Sequence, residues 1–503
     1  MANPLYDALF GRHEGKTTPF LIRPDGRTVS HDEFLKTAAR YAHAIQAAGL
    51  APGDRLAAQV VKSPEALAVY AGCVAAGVVC LPLNTAYTPA EISYFLENSG
   101  AKLMLADKSA IAPLTPVADA AGAKLMALNA DGSGDFAEAG AGAPDRFDPV
   151  TRADDDLAAF LYTSGTTGRS KGAMLTQRNL LSNAEALTES WRFTSSDVLL
   201  HALPIVHTPG LFVATNIMAL AGGAMIFLPK FDLDEIIRLT PQATSMMGVP
   251  TFYTRLLDDA RFTKALTTHM RLFTSGSAPL LAETHRAFEE RTGHRILERY
   301  GMTETNMNTS NPYEGERRAG TVGFPLPGVE LKVTDPETGE ALPEGEVGVI
   351  EVRGANVFKG YWGMPEKTKE ELREDGFFIT GDLGLIDDRG YVQIVGRGKD
   401  LIISGGFNVY PKEVELVLDE QPGVLESAVV AAPHPDFGEA VVGFLVALPG
   451  ETPDLGAIDA ALREKLARYK QPKKLIVTAK LPRNTMGKVQ KNLLRDEVKG
   501  LFA

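Results

Sequence analysis

Helical stretches followed by a glycine and a short apolar strand recur along the chain. Residues 64–76 have the composition of a helix, and the strand-like run VVCLPL follows at residues 78–83. The same order returns in residues 210–228, GLFVATNIMALAGGAMIFL, where Gly222 and Gly223 interrupt the apolar run. This alternation predicts β-α-β units, and therefore parallel or mixed sheets flanked by helices.

The pattern changes after residue 328. Residues 329–396 contain the runs VELKVT, GEVGVIEVRG and GYVQIVG separated by turns, which predicts a small β-rich subdomain. After it we expect an α+β unit with strands at residues 426–432 and 440–447 and a helix near residues 454–468. The chain is therefore predicted to have an N-terminal domain of residues 1–396 and a C-terminal domain of residues 397–503. Residues 130–149, rich in Gly, Ala and Asp, predict a mobile surface loop.

Composition and charge exclude several classes of function. A chain of 503 residues with 45% hydrophobic and 23% charged residues is typical of a soluble globular protein with about three folding units. The net charge of -12 argues against a nucleic-acid partner, because duplex binding needs cations that neutralise phosphates. Residues 463–495 differ, with eleven Lys/Arg against one acid. They form either an ordinary solvated face or a surface that directs cations toward a small polyanion.

The sequence predicts a cytoplasmic protein without membrane association. Nothing at the N-terminus resembles a secretory signal, and Cys73 and Cys80 lie in an apolar stretch that is typical of buried free thiols. Residues 66–83 carry no charge over 18 positions, which is long enough for a membrane span. Gly77 and Pro82 within this stretch favour a helix followed by a short strand instead.

A loop rich in glycines and hydroxyls is the first candidate site. Residues 162–172 read YTSGTTGRSKG and follow the apolar run of residues 157–161, as a phosphate-binding loop follows a strand. It is not a Walker A motif: a motif starting at Gly165 would need glycine at 170 and Ser or Thr at 172, where Ser170 and Gly172 stand. The alternative interpretation is a Ser/Thr/Gly-rich linker.

Further motifs follow in order along the chain. They are TSGSAP at residues 274–279, YGMTET at 300–305, TGD at 380–382, GRGKDLIISGGFNVYPKEVE at 396–415 and LPRNTMGK at 481–488. Together with the first loop they closely resemble the core motifs of the adenylate-forming superfamily, which includes acyl-CoA synthetases, aryl-CoA ligases, luciferases and the adenylation domains of peptide synthetases. The resemblance covers residues 30–495. Residues 304–330 and LPIVHTPGL at residues 203–211 look most like malonyl-CoA synthetases.

This resemblance implies a fold and a two-step reaction. The implied fold is α/β: a large N-terminal domain of parallel and mixed sheets flanked by helices, with a small β-rich subdomain, and a small mobile α+β C-terminal domain. In the implied reaction a carboxylate attacks the α-phosphorus of ATP and releases pyrophosphate. The CoA thiol then attacks the acyl-adenylate and releases AMP. ATP, Mg²⁺ and coenzyme A are therefore the expected ligands.

Positions that match the superfamily motifs receive roles by resemblance. The residues expected at the β- and γ-phosphates are Thr163, Ser164, Gly165, Thr166, Thr167, Gly168 and Lys171. Those expected around the adenine are Gly276, Ser277, Ala278, Glu298, Arg299 and Tyr300. Thr303 is expected to bind the α-phosphate and Glu304 the Mg²⁺ ion, since a hard cation prefers carboxylate oxygen.

The C-terminal motifs receive roles in the same way. Asp382 is expected to accept both ribose hydroxyls, and Arg397 to contact ribose or phosphate. Lys488 matches the lysine that bridges the substrate carboxylate and the α-phosphate, and it is also a candidate for a lysine acetyltransferase and deacetylase. Lys399 matches the hinge position of a rotating C-terminal domain. The residues expected to face the pantetheine arm of CoA are Ser404, Gly405 and Gly406.

The acid pocket is the least determined part of the site. A small dicarboxylate such as malonate carries a second negative charge, which has to be paired with a cation once it is buried. His207 and Arg286 are the candidates for this contact, although Arg286 lies off the apolar stripe of its predicted helix and is exposed by periodicity alone. Residues expected to shape the pocket are Thr208, Ser277 and Met307.

Other functions remain as alternatives. Within the class, the alternative is a CoA ligase for an uncharged small acid or an aryl acid. A peptide-synthetase module is expected to continue into a carrier domain, whereas this sequence ends 15 residues after Lys488. A luciferase-like oxygenase shares the fold and the first half reaction and stays open. A nucleotide sensor without activity is expected to lack Glu304 or Lys488, and both are present.

Overall fold

The structure is a computed structural model that describes residues 2–163, 170–404, 407–466, 468–484 and 487–502. Contacts between residues divide the chain into two compact units. Unit 1 comprises Met1–Glu330 and Val352–Phe378, and unit 2 comprises Leu331–Glu351 and Ile379–Ala503.

Strands and helices are numbered in chain order. The strands are β1 (Pro19–Ile22), β2 (Thr28–Ser30), β3 (Arg55–Gln59), β4 (Val79–Pro82), β5 (Leu103–Ala106), β6 (Lys124–Ala127), β7 (Leu157–Thr163), β8 (Lys171–Thr176), β9 (Val198–His201), β10 (Ala224–Phe227), β11 (Ser245–Gly248), β12 (Leu272–Ser275), β13 (Leu297–Met302), β14 (Asn306–Ser310), β15 (Phe324–Pro325), β16 (Val329–Thr334), β17 (Gly348–Gly354), β18 (Phe378–Ile386), β19 (Val392–Arg397), β20 (Ile402–Ser404), β21 (Phe407–Val409), β22 (Val424–His434), β23 (Gly438–Ala447) and β24 (Lys474–Thr478). The α-helices are α1 (Pro4–Leu9), α2 (His31–Ala47), α3 (Pro64–Ala76), α4 (Pro89–Ser99), α5 (Ile111–Ala121), α6 (Asp135–Ala141), α7 (Gln177–Ser190), α8 (Asn216–Ala221), α9 (Leu233–Leu239), α10 (Pro250–Leu257), α11 (Lys264–Thr267), α12 (Ala282–Thr292), α13 (Pro365–Glu371), α14 (Pro411–Asp419), α15 (Leu455–Lys465) and α16 (Lys491–Val498). A π-helical segment covers Pro209–Thr215, and short 3-10 turns cover Gly11–His13, Lys108–Ala110, Thr240–Gln242 and Gly398–Asp400.

Unit 1 is built on two mixed sheets. One has the strand order β6-β5-β3-β4-β7-β8, and the other has the order β15-β14-β13-β12-β11-β9-β10-β1-β2. Parallel pairs include β3 with β4 and β5, and β12 with β11 and β13. Hairpins β7–β8 and β13–β14 are antiparallel. The predicted parallel and mixed sheets are confirmed, and the carboxyl ends of β12 and β13 lie at the same edge of their sheet, where ligands of α/β folds bind.

The first predicted helix-strand pair forms as expected. Ser63 caps α3 by accepting the N–H of Ala66, Pro64 occupies the first turn, and Gly77 ends the helix with a φ of 68° before β4 begins. The alternative of a membrane span at residues 66–83 therefore fails. Across the described ranges, no helix is both long and apolar enough to cross a bilayer.

The prediction of a mobile loop at residues 130–149 is wrong for its middle part. Residues Asp135–Ala141 form α6, and Phe136 is fully buried with its ring 5.1 Å from that of Tyr41. The carboxylate of Asp135 accepts the N–H of Ala127 at 2.5 Å. One buried aromatic ring thus anchors a segment whose composition alone is typical of a loop.

The β-rich and C-terminal segments also follow the predicted pattern. Strands β16 to β19 form a four-stranded sheet, as expected for residues 329–396. In unit 2, the order β21-β20-β23-β22, with β24 beside β23, forms a second sheet. Strands β22 and β23 are longer than predicted, because their antiparallel pairing runs from the pair Val424–Ala447 to the pair His434–Gly438. The predicted helix near residues 454–468 is shorter than expected and ends at Lys465.

Candidate active site

The hairpin of β7 and β8 carries the two ends of the phosphate-loop motif. Thr163 ends β7, Lys171 begins β8, and the two residues are register partners. The residues of the motif that lie outside the described residues are Ser164, Gly165, Thr166, Thr167, Gly168 and Arg169. The hairpin therefore holds a hydroxyl and an ammonium at the base of the predicted loop.

The ammonium of Lys171 contacts a carboxylate at the end of α13. Its Nζ lies 3.3 Å from both Oε1 and Oε2 of Glu371 and 4.0 Å from the ring centroid of Tyr361. Burial raises the pKa of Glu371, but the hydrogen bond from Tyr361 and the ammonium groups of Lys367 and Lys171 together hold it below its ordinary value. Lys171 thus already has an anionic partner in the protein.

Tyr361 joins this ion pair to the YGMTET motif of residues 300–305. Its hydroxyl lies 2.6 Å from Oε2 of Glu371 and 2.9 Å from Oε1 of Glu304, and its side chain is 2% exposed. A β-bridge between Tyr361 and Ala173 of β8 fixes its position. One buried phenol therefore connects the Lys171 ammonium of the first motif to the Glu304 carboxylate of the YGMTET motif.

The turn between β13 and β14 presents Thr303 and Glu304. Asn306 has a φ of 52°, and a Cβ placed on Gly301 would lie 1.9 Å from the carbonyl oxygen of Asn306. Only glycine fits such a close approach of two backbones. Glu304 is 5% exposed and its carbonyl accepts the N–H of Phe358 at 2.8 Å, whereas Thr303 is partly exposed.

Parallel pairing of β12 with β13 brings the two predicted adenine segments together. Ser275 and Glu298 are register partners, so the segment from Gly276 to Ala278 lies beside that from Glu298 to Tyr300. Ser277 has a φ of 69°, a left-handed conformation that is uncommon for serine.

Arg299 lies beneath this loop. A Cβ on Gly276 would be 2.4 Å from its Nη1, which explains the glycine. Burial lowers the pKa of Arg299 to about 10, and its Nε and Nη1 have no hydrogen-bond partner in the part of the chain that the structure describes. Glu298 precedes Arg299 on β13, and its carboxylate oxygen Oε1 lies 3.4 Å from Nδ1 of His285.

The candidate acid-pocket residues differ in burial and in their contacts. His207 and Thr208 immediately precede the π-helical segment, and the buried hydroxyl of Thr208 has no hydrogen-bond partner within the described ranges. Met307 is 1% exposed on β14. Arg286 is exposed on α12, as its periodicity predicts, and makes no hydrogen bond or ion pair with any described residue.

In unit 2, Asp382 and Arg397 are register partners on β18 and β19. Nε of Arg397 lies 2.6 Å from Oδ1 of Asp382, whose side chain is buried. The N–H of Asp382 donates to the Thr380 hydroxyl at 3.0 Å. The structure therefore pairs the two residues that the motifs assign to the ribose.

The remaining C-terminal candidates lie in turns of unit 2. Lys399 is in the 3-10 turn Gly398–Asp400, and burial lowers its pKa. Ser404 is buried at the end of β20, and the next two candidates, Gly405 and Gly406, lie outside the described residues. The backbone N–H of Lys488 donates to Oδ1 of Asn484 at 3.0 Å.

The basic tail is largely neutralised within unit 2. At least six of its eleven cations pair with acidic side chains: Arg463–Asp459, Lys465–Glu420, Lys470–Glu413, Arg483–Glu426, Lys491–Glu415 and Arg495–Asp400. These contacts favour the interpretation as a paired, solvated face for those residues.

Sequence reasoning missed four residues that surround the predicted groups. Tyr361 contacts Glu304, and Glu371 contacts Lys171. Lys62 and His201 contact each other beside the segment that contains Thr208. A tyrosine and a tryptophan in succession at residues 361–362, and a lysine directly after the apolar residues Val60 and Val61, are the signals that could have found two of them.

Comparisons with known proteins agree with the motif analysis. The crystal structure of ATP-bound MatB from Rhodopseudomonas palustris is 56% identical, covers 100% of both chains and superposes with a TM-score of 0.98. A malonate–CoA ligase of Arabidopsis thaliana is 33% identical over 98% of this chain and 88% of its own length. A sulfoacetate–CoA ligase of Cupriavidus necator is 34% identical over 94% of this chain and 93% of its own.

The family assignment rests on two matched regions. The AMP-binding enzyme family matches residues 11–362, and the AMP-binding enzyme C-terminal domain matches residues 413–488. Both the predicted resemblance and the predicted fold class are confirmed by these matches. The chain belongs to the AMP-binding enzyme family.

Proposed function

We propose that the protein is an ATP-dependent acid–CoA ligase for malonate, with methylmalonate as a second substrate. It forms malonyl-adenylate and pyrophosphate, then malonyl-CoA and AMP. One observation carries this function: Tyr361 has the Lys171 ammonium at its ring and the Glu304 carboxylate at its hydroxyl. A cation for phosphate oxygens and a carboxylate for the metal that accompanies them are the two groups that ATP cleavage needs.

In the first step, a malonate oxygen attacks the α-phosphorus, and the bond to the bridging oxygen of pyrophosphate breaks. Lys171 stabilises the negative charge that develops on the leaving pyrophosphate, as a compact ammonium can. We assign Thr303 to the α-phosphate, and Lys488 to the contact that holds the attacking carboxylate against it. The loop residues assigned to the β- and γ-phosphates are Thr163, Ser164, Gly165, Thr166, Thr167 and Gly168.

The residues around Glu304 fit a Mg²⁺ ion that arrives with ATP. In the described ranges, no group of three or more His, Cys, Asp or Glu side chains is placed to hold a metal alone. Mg²⁺ typically takes one or two carboxylates and fills its other positions with phosphate oxygens and water. Glu304 supplies such a carboxylate, and its Oε1 lies 2.9 Å from the Tyr361 hydroxyl. When bound, the ion neutralises charge on the phosphates.

The residues assigned to the nucleoside keep the roles that the motifs give them. Asp382 accepts the ribose hydroxyls, and Arg397, which contacts its carboxylate, adds a ribose or phosphate contact. The residues assigned to the adenine are Gly276, Ser277, Ala278, Glu298, Arg299 and Tyr300. The left-handed backbone at Ser277 supports this role, because strained backbone is concentrated at binding sites.

The second step needs the CoA thiol in place of Lys488. We assign Lys399 as the hinge of a C-terminal domain of residues 397–503 that rotates between the two steps. The thiol attacks the acyl carbon, and the bond to the AMP oxygen breaks. The residues assigned to the pantetheine arm are Ser404, Gly405 and Gly406, where glycines permit close approach.

The acid is chosen in the segment that contains His207 and Thr208. Malonate and sulfoacetate, the acids in the names of two similar proteins, both carry a second anionic group. Arg286 and His207 are assigned to that group, while Thr208, Ser277 and Met307 set the space beside the central carbon. The unpartnered hydroxyl of Thr208 supports a ligand at this position, since buried hydroxyls normally have a partner.

We also assign a compartment and a regulation. Buried free thiols at Cys73 and Cys80 suit the reducing cytoplasm. Acetylation of Lys488 by a lysine acetyltransferase removes its charge and blocks the first step, and a deacetylase restores it.

AMP release with separate acids tests the proposed function. The protein is incubated with ATP, Mg²⁺ and CoA, and with malonate, methylmalonate, acetate or benzoate. We expect AMP with malonate and methylmalonate, and a loss of more than about 100-fold in Lys488→Ala but not in the control Lys480→Ala, an exposed lysine of the same tail. AMP formed only with acetate or benzoate would instead establish a ligase for uncharged acids.

A further inference from the structure

A buried lysine, Lys62, and a buried histidine, His201, contact both ends of the segment assigned to the acid. Nζ of Lys62 lies 2.8 Å from the carbonyl oxygen of Leu203, 2.9 Å from that of His201 and 3.0 Å from Nδ1 of His201. Nε2 of His201 lies 2.9 Å from the carbonyl oxygen of Gly210. The pair therefore ties together the two ends of the segment from residue 201 to residue 210.

The hydrogen bonds fix the charge of this pair. Its four polar contacts comprise three to carbonyl oxygens, which only accept, and one between the two nitrogens Nζ and Nδ1. Four contacts require four N–H protons in total. A neutral amine and a neutral imidazole together supply only three, so every contact is satisfied only when the pair of Lys62 and His201 carries one positive charge.

This positive charge is not neutralised by the protein. The ring of Phe227, whose centroid lies 4.4 Å from Nζ, and the carbonyl oxygens surround Lys62, and no carboxylate of a described residue contacts the pair. Burial lowers the pKa of Lys62 and of His201, as expected for charge in an apolar environment. A buried charge without a counterion is costly, so its retention calls for an anionic partner that arrives from outside.

The same segment contains a second sign of a missing ligand. Thr208 lies between the two tied ends, and its hydroxyl is buried without a partner among the described residues. A Cβ on Gly210 would lie 2.0 Å from the carbonyl oxygen of Pro204, so the segment is tightly folded on itself. The charged pair thus contacts both ends of the short segment that carries the unpartnered hydroxyl.

We propose that the Lys62–His201 pair is a specificity determinant that selects acids with a second anionic group. This inference rests on the proposed ligase function and adds to it a residue pair that acts through the His207–Thr208 segment, without contacting the reacting atoms. For two unit charges about 10 Å apart at an effective dielectric of about 20, the interaction corresponds to about a tenfold change in relative binding, which sets the size of the effect we expect.

Malonate and malonamate separate a charge effect from a structural one. Malonamate, the half-amide of malonate, has nearly the same shape and one negative charge fewer. The ratio of kcat/KM for the two acids is measured in wild type, Lys62→Gln, Lys62→Met and Lys62→Arg, and an inhibition constant replaces kcat/KM where malonamate reacts too slowly. Lys102→Met removes an exposed lysine of the same unit and serves as the control.

We expect the malonate preference to fall about tenfold in Lys62→Gln and Lys62→Met, and to persist in Lys62→Arg and Lys102→Met. The KM for ATP should stay within about twofold of wild type, and far-UV circular dichroism checks folding. Lys62→Gln retains N–H donors for the two carbonyls, so it tests the inference even if Lys62→Met fails to fold.

Two different failures can be told apart. If Lys62→Gln lowers the reaction with both acids equally, or if Lys62→Arg loses the preference while Lys62→Gln retains it, the charge of the pair does not select the acid and the inference is wrong. If the wild-type protein does not use malonate at all, the proposed function fails first and this inference falls with it.

Discussion

Replacing Glu371 by glutamine is predicted to strengthen ATP binding and weaken the folded state at the same time. Both carboxylate oxygens of Glu371 lie 3.3 Å from Nζ of Lys171. This ammonium is the group that we assign to the departing pyrophosphate. Phosphate oxygens therefore compete with this carboxylate for the ammonium of Lys171. Glutamine keeps the size of the side chain and removes the competing charge.

The size of the effect follows from the geometry. At about 3.5 Å and an effective dielectric of about 20, two unit charges attract by about 5 kcal/mol before desolvation is counted. The side chains of Lys171 and Glu371 are 21% and 23% exposed, so solvent and the cost of desolvation reduce the net coupling to about 1–2 kcal/mol. ATP should therefore bind about tenfold more tightly to Glu371→Gln, since 1.4 kcal/mol corresponds to a factor of ten.

The stability change has the opposite sign. Glu371 also accepts a hydrogen bond from Tyr361 and pairs with Lys367 at 3.0 Å. Loss of its charge should lower the free energy of unfolding of the protein without ATP by about 1–2 kcal/mol. Titration calorimetry with ATP and Mg²⁺ measures the first effect, and urea unfolding measures the second.

The control is Glu370→Gln. Glu370 precedes Glu371 on the same helix, is exposed, and pairs with Lys367 at 2.7 Å. It should leave ATP affinity within about twofold, because surface pairs contribute little. Weaker ATP binding in Glu371→Gln would refute a competition between Glu371 and the phosphates. It would show instead that Glu371 positions Lys171 for them.

Further predictions concern stability, the turn between β13 and β14, and the hinge. Burial raises the pKa of Asp419 from 3.8 to about 6, so the folded state holds a proton there that the unfolded state loses, and the free energy of unfolding falls as pH rises from about 4 to about 6. Asp419→Asn should therefore stabilise the protein in urea by up to about 3 kcal/mol at pH 7.5 and hardly at all at pH 3.5; an equal gain at both pH values would refute the assigned cause. Gly301→Ala should abolish AMP release, because the new Cβ would lie 1.9 Å from the Asn306 carbonyl oxygen; activity within about threefold of wild type would contradict this close approach. Lys399→Pro should slow thioester formation at least about tenfold more than malonate-dependent ATP–pyrophosphate exchange, and equal losses in the two assays would remove its hinge role.

The parts of the fold that the sequence predicted are governed by neighbouring residues. Ser63, Pro64 and Gly77 start and stop α3 through caps and left-handed backbone, so the pattern alone suffices. Residues 130–149 show the limit of composition. Their helix depends on Phe136 reaching Tyr41, a contact between distant parts of the chain.

The candidate site divides in the same way. Motifs locate Lys171, Glu304 and Asp382: Lys171 begins β8, Glu304 lies in the turn between β13 and β14, and Asp382 lies within β18, each in an element that its own segment defines. Glu371 lies 200 residues from Lys171, and Lys62 lies 139 from His201. No periodicity links such pairs, and only the order of strands in the sheets brings them together. Arg286 remains the weakest assignment, since it rests on resemblance alone and its side chain is exposed.

The most direct test of the acyl-adenylate mechanism follows an oxygen atom. Malonate labelled with ¹⁸O in its carboxylates is incubated with the protein, ATP, Mg²⁺ and CoA, and the products are examined by mass spectrometry. Attack of a carboxylate on the α-phosphorus predicts one ¹⁸O in AMP, unlabelled pyrophosphate, and malonyl-CoA that has lost one label. Unlabelled AMP, or label in inorganic phosphate released with ADP, would contradict an acyl-adenylate intermediate and the roles given to Lys171, Glu304 and Lys488.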